Sequence, residues 1–126
     1  MIGEISQRVA DLSLDALSEA ARERLTLCLL ANLTVGVAGA RYCVLPEPVR
    51  GSGRYALLSG NRADDARAAA FWNAASMHAR TQDDFHPVGN LHIGTVVIPA
   101  LMAVADETGL SGRAFLEAQI GRASVG

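Results

Sequence analysis

All three histidines of the chain lie within one fifteen-residue stretch, His78-Ala-Arg-Thr-Gln-Asp83-Asp84-Phe-His86-Pro-Val-Gly-Asn-Leu-His92, together with two adjacent acids. An imidazole titrates near neutral pH, so it can take a proton from carbon beside a carboxylate or carbonyl. A neighbouring Asp can fix its tautomer or pass a proton in turn. The combination suits proton abstraction and elimination, with His92, Asp83, His86 and Asp84 as the candidate catalytic residues. His92 also stands just before Gly94 and Thr95, where a helix is expected to begin. Free backbone N–H groups there favour an anion, so a substrate carboxylate is expected to dock at Gly94 and Thr95. The ordinary alternative for a single histidine is a hydrogen-bonded structural residue, and for Asp83 and Asp84 a helix-end or loop role. It is the clustering that favours a site. Two Asp and two His could also ligate iron or zinc, but the chain has neither HExxH nor CxxC spacing, and no metal is assigned.

The elements that must position this stretch follow from hydrophobic spacing. Ile2, Ile5, Val9 and Leu12 recur every three or four residues, which predicts a short amphipathic helix over residues 2–12. A longer helix is predicted over residues 16–38, with Ser18 as a plausible N-cap and Gly39 as a stop. Its first turns are charged and its second half is apolar almost all round, so the second half is expected to be buried. Residues 41–61 contain Pro46, Pro48, Gly51, Gly53 and Gly60, too closely spaced for a long helix. They read as a loop with a short extended piece at residues 55–58. Asp64 and Asp65 precede an Ala-rich helix over residues 66–77, whose small side chains permit close packing. Residues 81–94 read as an irregular polar connection. Residues 95–108 form an apolar helix with Pro99 in its first turn, ended by Gly109, and residues 112–119 a last helix capped by Ser111. No alternation is strong enough for a sheet. The fold class is all-α, one domain over residues 1–126.

The chain has 126 residues, room for a single core. Half of them are hydrophobic and only 19% are charged, which predicts that some apolar surface meets a partner chain. A formal charge of −2 with scattered arginines gives no field for nucleic acid. Every basic residue is Arg, so chemistry that needs a lysine cannot come from these residues. Cys28 and Cys43 have no CxxC spacing and read as buried free thiols. The start of the sequence lacks the basic and apolar blocks of a signal peptide. The apolar run over residues 25–40 is broken by Thr26, Asn32, Thr34, Gly36 and Gly39 and falls short of the roughly 20 residues a membrane span needs. A cytoplasmic protein without a membrane segment is expected.

The order of motifs resembles the MmgE/PrpD (2-methylcitrate dehydratase-like) family. The run Ala68-Ala-Ala-Phe-Trp-Asn73-Ala-Ala-Ser-Met-His78-Ala is followed by Asp83-Asp84-x-His86, His92-x-Gly94, Val96-Val-Ile-Pro99-Ala-Leu and Gly109-Leu-Ser-Gly112. These are similar to the family's AAFxNGxxxHxxDxDDTH, HPSG, vvPAxLAlAE and GxSGxdLL. Residues 25–39 look like the family's preceding helix, with Asn32 where an Asp is usual. The resemblance implies the N-terminal part of a bundle-like helical domain, which in complete members is joined to a smaller α/β lid absent here. It implies reactions that begin at carbon next to a carboxylate and use no organic cofactor: dehydration, decarboxylation or epimerisation. By position His92 is similar to the family's active-site histidine and Asp83 and Asp84 to its acid pair, while Asn73 and His78, in the matching run before them, are candidate substrate-binding residues. Thr81 stands where a further Asp is expected and Phe85 replaces a Thr, so Arg80 and Gln82 become candidates for binding a differently shaped substrate. Lysines and a tyrosine of later family segments have no counterpart in this sequence.

Two roles therefore stand. The first is a subunit or fragment of a lyase or isomerase acting on a small carboxylate or carbonyl substrate, with a second polypeptide, or another copy in a homo-oligomer, supplying the rest of the site. The second is a noncatalytic helical scaffold or regulatory subunit derived from the family, which Thr81 and Phe85 favour.

Overall fold

The computed structural model describes residues 3–4, 6–7, 11–44 and 52–123, with the side chains of residues 121–123 left aside. Among the described residues the chain forms four α-helices: α1 (Glu19–Gly39), α2 (Ala66–His78), α3 (Ile93–Thr108) and α4 (Gly112–Ala123). One hairpin, β1 (Tyr55–Ala56) with β2 (Arg62–Ala63), pairs Tyr55 with Ala63 and Ala56 with Arg62. The fold is mostly α-helical, as expected, with only this two-stranded hairpin as a sheet among the described residues. Its first strand begins the piece predicted to be extended. The helix expected over residues 2–12, and Pro46, Pro48 and Gly51 of the expected loop, lie largely outside the described residues.

The helices start where their caps dictate. Ser18 accepts from the Ala21 N–H at the head of α1, and Asp65 accepts from the Ala68 N–H at the head of α2. The segment before Ser18 is a single 3-10 turn, Leu14–Ala16, so α1 begins three residues later than its composition predicts. Gly109, at φ 69°, ends α3 in the left-handed conformation that glycine adopts without strain. Helix α3 also starts two residues earlier than expected. Pro99 therefore lies beyond its first turn and cannot donate to the Thr95 carbonyl, a local interruption that the buried surroundings of Pro99 tolerate.

Small side chains make the core. Ala63, Ala69 and Ala103 pack with Tyr55 and Leu57, while Met77, Ile98 and Ile120 are fully buried. Helix α2 lies at the centre, against both α1 and α3. Its contact with α1 is close because Gly39 lets the Ser76 carbonyl in where any Cβ would overlap it. Asn73, 1% exposed, ties the hairpin to this centre by accepting from the Leu58 N–H at 2.8 Å and donating to the Ala56 carbonyl at 3.0 Å. Arg54 donates to the Asp106 and Glu107 carbonyls at the end of α3, and the Asp106 carboxylate accepts from the Ala56 N–H.

The second half of α1 is not buried as its composition predicts. Only Leu25, Asn32, Gly36 and Gly39 form a buried stripe, while Leu27, Leu30 and Val37 are 56–59% exposed. Beyond Leu25 the stripe is made of small or polar members of the run, Asn32, Gly36 and Gly39, because those allow α2 and α3 to approach. The larger apolar side chains are left facing outward. The helix, continued through the turn to Tyr42, is also longer than the apolar run suggests, and by length and composition alone it could cross a bilayer. Its one face packed on protein and the charges Glu19, Arg22, Glu23 and Arg24 in its opening turns fit equally a helix covered by another chain.

Candidate active site

Three elements meet at the candidate site: the C-terminal end of α2, which carries His78; the connection over residues 79–92; and the N-terminal end of α3, where His92 is the N-cap. The connection folds back on itself. Thr81 and Asn90 both adopt positive φ, 52° and 51°, and His86 and Leu91 exchange backbone hydrogen bonds between them. Asparagine tolerates that conformation, but a β-branched threonine does so only under strain. The turn at Thr81 sends the chain back beneath His78 and so delivers Asp83.

Asp83 is the hub. Its side chain is 0% exposed, and it bonds His92 Nδ1 at 2.8 Å and His78 Nδ1 at 3.1 Å. A carboxylate accepts and does not donate, so both rings present Nδ1–H to it, and the neutral form of each ring then carries its lone pair on Nε2. Among the described residues neither Nε2 has a hydrogen-bond partner. The two rings stand edge to face with centroids 4.8 Å apart, and Phe85, half exposed, leans on His92 with centroids at 5.1 Å. Both imidazoles line an open cleft of about 400 Å³ whose other walls are Asn90, Leu91, Ile93, Thr95, Val96 and Val97. The arrangement offers two ring nitrogens able to accept a proton, on one side of one buried carboxylate, beside a mostly apolar space.

Asp84 points the other way. Its Oδ1 accepts from the Gly94 N–H at 3.0 Å, and its Oδ2 lies 3.7 Å from the Cys28 thiol on α1. The anion at the head of α3 is thus the protein's own carboxylate, and it occupies the Gly94 N–H at which a substrate carboxylate was expected. Asn32, fully buried, donates to the Cys28 carbonyl at 2.9 Å and presses on the same point. A Cβ at position 94 would overlap Asp84 Oδ1 and lie 2.6 and 2.7 Å from the Asn32 amide atoms, which is why residue 94 is glycine. An Asp at position 32 would crowd a second negative charge against Asp84. The amide avoids that repulsion, and its Oδ1 is left without a hydrogen-bond partner.

The remaining candidates are dispersed. His86 Nδ1 accepts from the Gly89 N–H at 3.0 Å, so this ring closes the turn over residues 86–91 and does not bond Asp83. Thr95 is buried, lines the cleft and donates to the His92 carbonyl at 2.9 Å. Arg80 and Gln82 are exposed on the connection, and Asn73 is committed to the hairpin. Cys28 is half-buried and takes part through Asp84, a role that composition did not single out. Its signal was the polar Asn32, one turn further along an otherwise apolar helix. Cys43 is a free, half-buried thiol.

The model of the MmgE/PrpD N-terminal domain matches residues 3–121 of the chain. Comparison with curated proteins and with solved structures gives no match.

Proposed function

The chain belongs to the MmgE/PrpD family, and on that premise we propose that it carries the proton-transfer part of a lyase or isomerase that works without an organic cofactor. The observation that supports this most is the buried Asp83 carboxylate bonded to Nδ1 of both His78 and His92. A carboxylate so placed stabilises whichever imidazole becomes positively charged, so a proton taken by one ring is held at low cost.

In this reading the substrate enters the cleft with a C–H beside its carboxylate or carbonyl facing the rings. His92 Nε2 takes that proton, and the electron pair stays on carbon as the enolate. The His92 imidazolium so formed then gives that proton either to a departing hydroxyl, which leaves as water, or to another carbon of the enolate, which completes an isomerisation, with His78 Nε2 beside it as a second base. General acid–base catalysis of this kind is worth about 10²–10⁴ in rate. The charged groups that would hold the substrate's own carboxylates come from elsewhere, because the cleft walls carry no Lys or Arg.

We place those groups on a second polypeptide. The cleft is open, and Phe85, Val88, Leu91 and Val96 around it are 51–92% exposed, as are the outward residues of α1 at 56–59%. Exposed apolar surface on this scale favours being covered by protein. The test is co-expression with the protein encoded by the neighbouring reading frame, followed by assay of hydroxy-acid and unsaturated tricarboxylate substrates in D2O. Turnover or deuterium uptake that falls about 10²–10⁴-fold on His92→Ala supports the proposal. Activity of the complex that is unchanged by His92→Ala and Asp83→Asn, but lost with assembly on substitution of Leu27 and Leu30, sinks it in favour of a scaffold.

A further inference from the structure

We infer that His78, Asp83 and His92 form a binding site for a divalent first-row metal ion of the zinc class, and that the metal-bound form withdraws the bases used in the reaction proposed above. The sequence offers no metal motif, because the three donors come from different elements and their spacing is not that of a known ligand set. The fold assembles them. One ligand atom from each residue lies within 4.8 Å of the other two, and the carboxylate oxygens stand 2.8 Å from one Nδ1 and 3.1 Å from the other.

The two carboxylate–imidazole separations are close to those around a shared ion, while the widest pair, within 4.8 Å, must draw closer on binding. Bonds of about 2.0–2.2 Å to imidazole nitrogen and carboxylate oxygen put neighbouring ligand atoms about 3.0–3.4 Å apart in octahedral or tetrahedral geometry. Two nitrogens and one carboxylate oxygen are the donor set that zinc and its neighbours in the first transition row accept. Asp83 is already buried and held, so it loses little freedom on binding. His78 is half exposed and so has the freedom to close the remaining gap. The further coordination positions open on the cleft, where water or a substrate oxygen fits. The positive end of α3 opposes a cation here, but that effect amounts to roughly 0.3–1 kcal/mol, small beside three ligand bonds.

The consequence for chemistry is a change of tautomer. A metal on both Nδ1 atoms takes the lone pairs there, and the proton of each ring moves to Nε2. No oxidation or reduction is involved. With Nε2 protonated neither ring can accept a proton from carbon, so metal occupancy and proton abstraction exclude one another.

The experiment is titration of the purified chain with Co2+, followed by its visible absorption, and with Zn2+, followed by histidine NMR. Expected is saturation at one Co2+ per chain, displaced by Zn2+. His78→Ala and His92→Ala each weaken binding at least about tenfold, while His86→Ala, Cys28→Ser and Cys43→Ser leave it unchanged. Should a variant fail to fold, the wild-type spectra decide the matter: Zn2+ moves the ring resonances of His78 and His92 and leaves His86 in place. Absence of saturable binding, binding that survives both histidine substitutions, or Zn2+ shifts confined to His86 overturns the inference. None of these readouts depends on turnover, so they stand or fall apart from the proposed reaction.

Discussion

The connection over residues 79–92 is held to the helices by one crowded point, and Gly94→Ala tests it. The new Cβ would overlap Asp84 Oδ1 and lie 2.6 and 2.7 Å from the two polar atoms of the Asn32 side chain, closer than Cβ atoms approach such groups. Asn32 cannot withdraw, because it is fully buried and its Nδ2 is bonded to the Cys28 carbonyl. Asp84 must therefore move and surrender the Gly94 N–H at 3.0 Å. Overpacking at such a site costs about 1–3 kcal/mol. Loss of a hydrogen bond to a charged acceptor costs about 1.5–3 kcal/mol more. The two overlap, so the expected destabilisation is about 3–5 kcal/mol, read from urea unfolding of the purified chain with unchanged m-value. Adding Asn32→Ala to Gly94→Ala removes the immovable neighbour. The double variant should recover at least 1 kcal/mol relative to the sum of the single ones, about the coupling seen between residues in contact. A Gly94→Ala protein within about 0.5 kcal/mol of wild type, the range of an ordinary surface substitution, would refute the packing described for Asp84.

Three further outcomes are expected. Thr81→Asn keeps the left-handed turn with a residue that tolerates it, and should raise stability by about 0.5–1 kcal/mol in urea melts; a loss instead would mean that the threonine is not strained. Asp65, whose carboxyl lies below its ordinary value chiefly because it accepts from the Ala68 N–H with Arg67 assisting, contributes stability that is complete above about pH 4 and lost as pH falls through its folded-state value. The wild type should therefore lose more stability than Asp65→Asn over that acidic interval, and parallel curves for the two proteins would contradict the cap. Replacing Leu27 and Leu30 by Ser should change the urea midpoint of the isolated chain little, since both are more than half exposed, yet abolish its association with a partner or a second copy on gel filtration. Retained association would move the interface elsewhere.

Much of the architecture was legible in the residues themselves. Ser18 and Gly109 mark helix ends by their own chemistry, and the Ala-rich run after Asp65 could pack closely wherever it lay. The orientation of α1 was not legible. A run that is apolar on every side has no moment to declare its inward face, and what chose the face was the small stripe of Asn32, Gly36 and Gly39, whose value lies in what it lets approach. The clustering of histidines and acids marked the stretch of chain in which His78, Asp83 and His92 come together. Which acid would face which ring depended on the positive-φ turns at Thr81 and Asn90, a backbone property that a threonine does not advertise. Asp83 and Asp84, adjacent in sequence, consequently face opposite ways, one to the imidazoles and one to α1 and α3. The partnership of Asp84 with Cys28 spans 56 positions and has no local signature.

The proposed proton transfer requires Asp83 to hold His78 and His92 as Nδ1–H tautomers, with the lone pairs on Nε2. Long-range proton–nitrogen NMR of the 15N-labelled chain at neutral pH, without metal, reads this directly. The structure predicts a protonated-type Nδ1 and an unprotonated-type Nε2 for both rings, and disturbance of both by Asp83→Asn. Rings protonated on Nε2 in the metal-free protein, or spectra unmoved by that substitution, would contradict it.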